Sequence, residues 1–102
     1  MLILNQFELI SVLLKPKHIN NMRVIKDFTE GPVKISIFHW NNKYLIKLEA
    51  GPLEQTFKLN EFDLESEDQV LKLIDKDFIN TCIKRFDDMY GQLRASLERS
   101  EN

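Results

Sequence analysis

The sequence is poor in the residues on which most catalytic and disulfide-stabilised folds depend. It contains one cysteine, Cys82, in 102 residues, so an internal disulfide is excluded. Its three glycines are isolated from one another, so no glycine-rich loop can hold a phosphate group. The formal net charge is −2, which does not favour a generally basic nucleic-acid binder. A lone cysteine in an apolar pattern is typical of a buried thiol in a reducing compartment, so we expect a cytoplasmic protein.

Residues that could perform acid–base or metal chemistry are also scarce. Neither of the two histidines, His18 and His39, has a cysteine or carboxylate at a spacing typical of metal ligands. We expect His39 to lie at the edge of the core beside Tyr44, and His18 to be exposed. Solvated helix charges explain the aspartates of the C-terminal segment, namely Asp75, Asp77, Asp87 and Asp88. The sequence therefore predicts no enzyme, no metal and no cofactor. The one enzymatic alternative is a small active site formed across a dimer cleft.

The first 14 residues, MLILNQFELISVLL, could suggest a targeting segment or a membrane anchor. No positive charge precedes their apolar part, polar residues interrupt it, and no small-residue cleavage site follows. The segment is also too short and too polar to span a membrane. Apolar residues recur instead at helical spacing, which predicts a short amphipathic helix with the stripe Ile3, Phe7, Ile10 and Leu14. We expect residues 1–21 to be an N-terminal extension and residues 22–102 a single domain; a misassigned start is the alternative.

Four runs of alternating apolar and polar residues predict β-strands at residues 22–29, 33–40, 43–50 and 53–60. Asn41-Asn42 suits a type I′ turn, because asparagine tolerates positive φ. Gly51 suits the first central position of a type II′ turn, and Glu30-Gly31-Pro32 marks the first turn. The predicted arrangement is a four-stranded antiparallel meander.

A helical pattern covers residues 67–98. Ser66 followed by Gln69 matches a capping box at its start. Two apolar stripes are offset by one residue near Lys76, so the helix either runs through or breaks there, with Asp75 or Asp77 as a second N-cap. We expect an α+β fold in which the meander packs on this long C-terminal helix.

The two-residue turns fix the strand register and so assign each side chain to a face of the sheet. The face expected to pack on the helix is strongly apolar: Val33, Ile35, Ile37, Tyr44, Ile46, Leu48, Leu53, Phe57 and Leu59. Val24 and Phe28 join it if Glu30-Gly31 forms the first turn. The opposite face, which we call the outer face, combines basic, aromatic and aliphatic side chains: Arg23, Ile25, Lys34, Phe38, Trp40, Lys43, Leu45, Lys47 and Lys58. It also carries the carboxylates of Asp27, Glu49 and Glu54, so its expected net charge is +2. One predicted row across the strands reads Arg23, Phe38, Leu45 and Lys58.

Three interpretations of the outer face compete. Its aromatic rings could stack the bases of single-stranded nucleic acid while its lysines contact the phosphates. The same residue types could anchor a partner protein. Residues 1–14 of the same chain could instead cover the face. The expected function is a non-enzymatic dimeric binding module with the outer face as a candidate site for single-stranded nucleic acid. The alternative is a structural or protein-interaction protein whose outer face is covered by residues 1–14 or by a partner.

The length of the helical pattern predicts self-association. A continuous helix over residues 67–98 would be about 48 Å long, whereas an eight-residue strand spans about 26 Å. The part beyond the sheet still carries apolar residues at heptad spacing, namely Phe86, Tyr90, Leu93 and Leu97. Because exposed apolar residues are unfavourable, we expect a partner helix and predict a homodimer. The alternative is a break near residue 76 that folds the second helix back onto its own domain.

The stretch KISIFHWNNKYLIKLEAGPLEQTFKLNEFDL, followed by an acid-capped helix containing KRF, resembles a family of short uncharacterised bacterial proteins over residues 22–93. That resemblance implies no activity. The order of four strands and a helix is also similar to the repeat of the purine-rich-element-binding proteins and to the Whirly and positive-cofactor-four single-stranded-DNA binders. Those families dimerise and bind nucleic acid on the sheet face, so this likeness of topology implies the same two properties as expectations.

Overall fold

The computed structural model describes residues 22–101, which form one antiparallel sheet with two helices packed on one of its faces. The strands are adjacent in chain order: β1 (Arg23–Glu30), β2 (Val33–Trp40), β3 (Lys43–Ala50) and β4 (Leu53–Asn60). Three helical elements follow: a one-turn 3-10 helix (Glu61–Asp63), α1 (Glu67–Leu73) and α2 (Lys76–Ser100). The predicted α+β fold, a four-stranded meander followed by a long C-terminal helix, is confirmed. The helix predicted near the N-terminus lies outside the described residues.

Each pair of neighbouring strands is joined by a two-residue turn whose first residue has positive φ. Asn41 and Asn42 have φ values of 53° and 62°, the type I′ geometry that the sequence predicts. Gly31 and Gly51 have φ values of 58° and 59°. Each of these glycines precedes a proline, whose ring fixes φ near −65°, so both turns have the type II′ combination.

The pairing of β2, β3 and β4 follows the predicted register. Phe38 lies opposite Leu45, and Leu45 lies opposite Lys58. Because successive side chains of a strand point to opposite faces, this register sends the nine predicted core residues of these strands toward the helices. All nine are buried there or packed half-buried against the core.

The turn between β1 and β2 is Gly31-Pro32 rather than Glu30-Gly31, because Glu30 pairs with Val33. With this register Phe28 still faces the helices and packs against the core, as predicted.

A β-bulge between Val24 and Lys26 then shifts the start of β1 by one residue. Val24 lies opposite Phe38 on the outer face, where it is exposed, whereas Ile25 packs against the core. Two predictions are therefore wrong: Val24 is not a core residue, and Ile25 does not lie on the outer face. A bulge adds one unpaired residue to a strand, and no feature of this sequence marks its position.

The helical segment is divided at Ile74. α1 begins after Ser66, whose Oγ accepts a hydrogen bond from the Gln69 N–H, while the Gln69 side chain accepts one from the N–H of Glu65 at 2.7 Å. This is the predicted capping box, except that the Gln69 side chain bonds the N–H of Glu65, one residue before the N-cap, instead of the N–H of Ser66 itself. α2 begins after Asp75, whose Oδ1 accepts a hydrogen bond from the N–H of residue 78 at 2.9 Å. The predicted break is confirmed, with Asp75 as the N-cap.

α2 is attached to the sheet by apolar and polar contacts. Its buried residues are Ile79, Cys82 and Phe86. Gln55 of β4, which is also buried, donates from Nε2 to the backbone carbonyl of Cys82 at 2.8 Å and accepts from Arg85 at 2.7 Å. Because a buried amide without partners costs about 1–3 kcal/mol, these bonds favour one position and one rotation of α2 on the sheet.

The turn geometry leads to a prediction about stability. Gly51→Ala should lower the free energy of unfolding by about 1–2 kcal/mol, because a Cβ is strained at the positive φ of this turn. A Cβ at residue 51 would meet no atom within 4 Å, so the lost stability comes from backbone strain rather than from a steric clash. Gly91→Ala, in the exposed interior of α2, is the matched control and should raise the same free energy by about 0.5–1 kcal/mol. Urea denaturation measures both; a loss of stability with Gly91→Ala, or none with Gly51→Ala, would contradict the assignment.

Candidate interaction surfaces

The outer face of the sheet, opposite α1 and α2, is less basic than the sequence predicts. Residues predicted for binding that do lie there are Lys34, Phe38, Trp40, Lys43, Leu45, Lys47 and Lys58. Arg23 does not, because the bulge places it opposite His39 on the helix side; the predicted row therefore begins with Val24. Four lysines then share the face with three carboxylates, Asp27, Glu49 and Glu54. The excess positive charge is one, rather than the two expected.

Polar contacts across the strands neutralise part of this charge. The Nζ of Lys47 lies 3.6 Å from Oε1 of Glu54. Ser36 donates a hydrogen bond to Oδ1 of Asp27 at 2.8 Å, which ties β2 to the edge strand β1. A ligand of the outer face would therefore meet a mixed charge distribution with little net attraction for phosphate groups.

The centre of the outer face is apolar and closely covered. Leu45 is 3% exposed, although its neighbours Tyr44 and Ile46 face the helices and Leu45 therefore faces away from them. It does not belong to the core cluster between the sheet and the helices. Phe38, directly opposite Leu45, and Trp40 are half-buried. Burial of this degree on the face opposite both α-helices is the least expected feature of the sheet.

A charged cluster joins the end of the sheet to the segment that leads into α1. Arg23 donates two hydrogen bonds to the Glu67 carboxylate, at 2.7 and 3.2 Å. The Nε2 of His39 lies 2.6 Å from Oε1 of Glu61, and the ring of His39 lies 4.8 Å from that of Tyr44. The prediction that His39 lies at the core edge beside Tyr44 is confirmed. Sequence reasoning missed both glutamates as partners, because Glu67 is 44 residues from Arg23 and Glu61 is 22 residues from His39.

The electrostatics of this cluster follow from its contacts. The hydrogen bonds from Arg23 hold the pKa of Glu67 below its usual range. Burial raises the pKa of Tyr44, with the nearby carboxylates of Glu67 and Glu61 acting in the same direction. The Arg23–Glu67 ion pair and the His39–Glu61 contact connect β1 and β2 to the segment after β4, so the cluster acts as a clamp between the sheet and α1.

The stripe predicted for dimerisation is divided by the structure into a buried part and an exposed part. Phe86 is 5% exposed and packs in the core of its own chain, so its prediction as a dimer residue is wrong. Tyr90, Leu93 and Leu97, which we call the overhang stripe, are 49%, 39% and 54% exposed. They follow Phe86 at spacings of four, three and four residues. The break at Asp75 therefore does not fold the end of α2 back onto the sheet.

The single thiol of the chain, Cys82, is buried in the core. Burial raises the pKa of the Cys82 thiol, and a buried protonated thiol is a poor nucleophile. Within residues 22–101, no three histidine, cysteine or carboxylate side chains are grouped so that they could hold a metal ion. In the same range neither helix combines the length and the apolar content needed to cross a bilayer.

Comparison with models of known protein families, with curated protein sequences and with solved structures found no match for this chain. The likeness to single-stranded-DNA binders therefore rests on strand order alone and stays a prediction.

The charged cluster leads to a prediction about pH. Because its folded pKa is lowered, Glu67 stabilises the fold above its unfolded pKa, and this contribution is lost as pH falls through the folded pKa. Arg23→Gln should raise the pKa of Glu67 toward its ordinary value and remove that part of the acid sensitivity. Carboxyl NMR titration of Glu67 measures the change. Lys26→Gln, on the same strand, is the control and should leave Glu67 unchanged; equal effects of the two substitutions would contradict the clamp.

Proposed function

We propose that the protein is a non-enzymatic module that forms a homodimer through the end of α2. The observation that carries this proposal is the overhang stripe: Tyr90, Leu93 and Leu97 are exposed although they continue the buried line of Ile79 and Phe86. α2 has 25 residues and is about 37 Å long, whereas each eight-residue strand spans about 26 Å. The last turns of the helix therefore extend past the sheet that buries its first turns.

A second copy of the chain is the partner that the stripe fits best. Alternating spacings of three and four residues form a seam that is complementary to itself, because the side chains of one helix fit between those of an identical helix. Isologous two-fold pairing also buries both copies of the stripe at once and leaves no unpartnered surface. The flanks carry charges of both signs, with Asp87, Arg94 and Glu98 near the stripe, so identical helices are not held apart by a uniform charge.

The position of the sheet determines the direction of pairing. The overhang stripe lies on the same line of α2 as Ile79 and Phe86, so a helix that covers the stripe lies on the same side of α2 as the sheet. In a parallel dimer, the first turns of the partner helix would have to occupy the space filled by that sheet. In an antiparallel dimer they point away from it. The proposed dimer therefore pairs the two overhangs antiparallel, with the two sheets at opposite ends.

Leu93→Glu should convert the dimer to a monomer. Full burial of a leucine contributes about 1.5–3 kcal/mol, so losing it in both copies should weaken association by roughly 100-fold or more. Size-exclusion chromatography with light scattering measures the mass, and the melting temperature of the monomer should be unchanged because Leu93 is outside the core. Gln92→Glu places the same charge one residue away, off the stripe, and should preserve the dimer. A monomeric unmodified chain at high concentration would overturn the proposal.

The direction of pairing can be measured between spin labels attached at Lys76→Cys, at the start of α2. A two-fold axis between residues 92 and 95 places the two labels about 48–57 Å apart at 1.5 Å per residue. A parallel pair would place them within roughly 25 Å, since the helix axes would be 8–10 Å apart. Pulsed electron–electron double resonance distinguishes these distances. Buried Cys82 should not react, and the unmodified chain treated with the label is the control. A single short distance would show that the direction is wrong even if a dimer forms.

A second candidate function is the binding of single-stranded nucleic acid on the outer face. It is supported by Phe38 and Trp40, two aromatic rings on one strand, with Lys43 opposite Trp40. The small excess of positive charge and the burial of Leu45 make this candidate weaker than dimerisation.

A further inference from the structure

The burial of Leu45 requires a cover on the outer face. A side chain in the middle of a sheet face without helices is normally in contact with water. Leu45 is nevertheless 3% exposed, and Phe38 and Trp40 beside it are half-buried. Both α-helices lie on the other face, where Val70, Ile79, Cys82 and Phe86 join the core. Neither of these helices therefore provides the cover of Leu45.

β1 begins next to this apolar centre, so the preceding chain is connected to the sheet there. Arg23, the first residue of β1, lies opposite His39, between Phe38 and Trp40 in sequence. Residues 1–21, which lie outside the described part of the structure, therefore join the sheet at the end that carries the two aromatic rings. A cover formed by this segment needs no association with another molecule and so no loss of translational freedom.

The length of the segment is sufficient to reach Leu45. The seven residues 15–21 can extend over about 23–25 Å, whereas β3, which carries Leu45, lies about 10 Å from β1. A helix over residues 2–14 would be about 20 Å long, and the four strands are about 14 Å across between the outer axes. The segment can therefore cross the whole face.

The chemistry of the segment matches the face. Its stripe of Ile3, Phe7, Ile10 and Leu14 would bury apolar surface against the apolar centre of the outer face. Glu8 is the only charged side chain in residues 1–14, and the face carries four lysines and three carboxylates. A segment with a single charged side chain avoids burying many unpaired charges against this face of mixed sign.

We propose that residues 1–14 form an amphipathic helix that packs across the outer face and covers Phe38, Trp40 and Leu45. The outer face then becomes a second, smaller core, and its aromatic rings are packing residues rather than an open binding platform. This interaction uses a surface different from the overhang stripe, so it does not depend on dimerisation.

The test uses the full-length chain and the emission of Trp40, which is the only tryptophan in the sequence. Phe7→Glu should shift this emission to longer wavelength and increase its quenching by acrylamide, because a charge on the stripe prevents close packing. Asn5→Glu adds the same charge on the opposite side of the predicted helix and should change neither quantity. Unchanged emission in Phe7→Glu would overturn the proposal.

A second measurement avoids substitution altogether, in case Phe7→Glu fails to fold. In the unmodified chain, nuclear Overhauser contacts should join the Leu45 methyl groups to the Phe7 ring within one molecule. Cross-peaks found only between differently labelled chains would show that a second copy provides the cover, and would overturn the proposal. Salt-sensitive quenching of Trp40 by short oligonucleotides would also overturn it, because it would show that the face is open to nucleic acid.

Discussion

The register of the sheet depends on three two-residue turns whose first residue has positive φ. Asparagine and glycine reach this region at low cost, and each turn leaves no freedom to slide one strand past the next. A shift of one residue would exchange the two faces of a strand and place lysines against α2. The core, the outer face and the position of the helix all follow from this local backbone constraint.

Most of the fold could be predicted because its signals are local. The alternation in β2 and β3, the Asn41-Asn42 turn and the N-cap at Asp75 each depend on a few neighbouring residues. The errors arose where distant parts of the chain decide the outcome. The bulge in β1 moved Arg23 to the helix side, and its partner Glu67 is 44 residues away. Phe86 fits a heptad pattern as well as Tyr90 does; only the extent of the sheet separates the buried residue from the exposed one.

For the candidate surfaces, the sequence predicted which residues share a face but not how deeply those residues are buried. Sequence pattern placed Phe38, Trp40 and Leu45 on one face, because alternation is a reliable property of paired strands. It could not indicate how far that face is covered, since burial depends on tertiary contacts. α2 is divided in a related way. Gln55 anchors its first half to the sheet, while its last turns, beyond Met89, make no contribution to the core. If α2 pairs as proposed, folding and association depend on different turns of one helix, and a substitution that alters one need not alter the other.

The bulge in β1 also affects whether another strand can pair with this edge of the sheet. β1 is an edge strand, and an edge strand with regular pairing offers free backbone groups on which another chain can build a further strand. The extra residue near Ile25 interrupts that pattern and increases the local twist, so an incoming strand would find no continuous set of partners. Protection of this border against uncontrolled polymerisation is therefore built into the irregular backbone that also directs Arg23 toward Glu67.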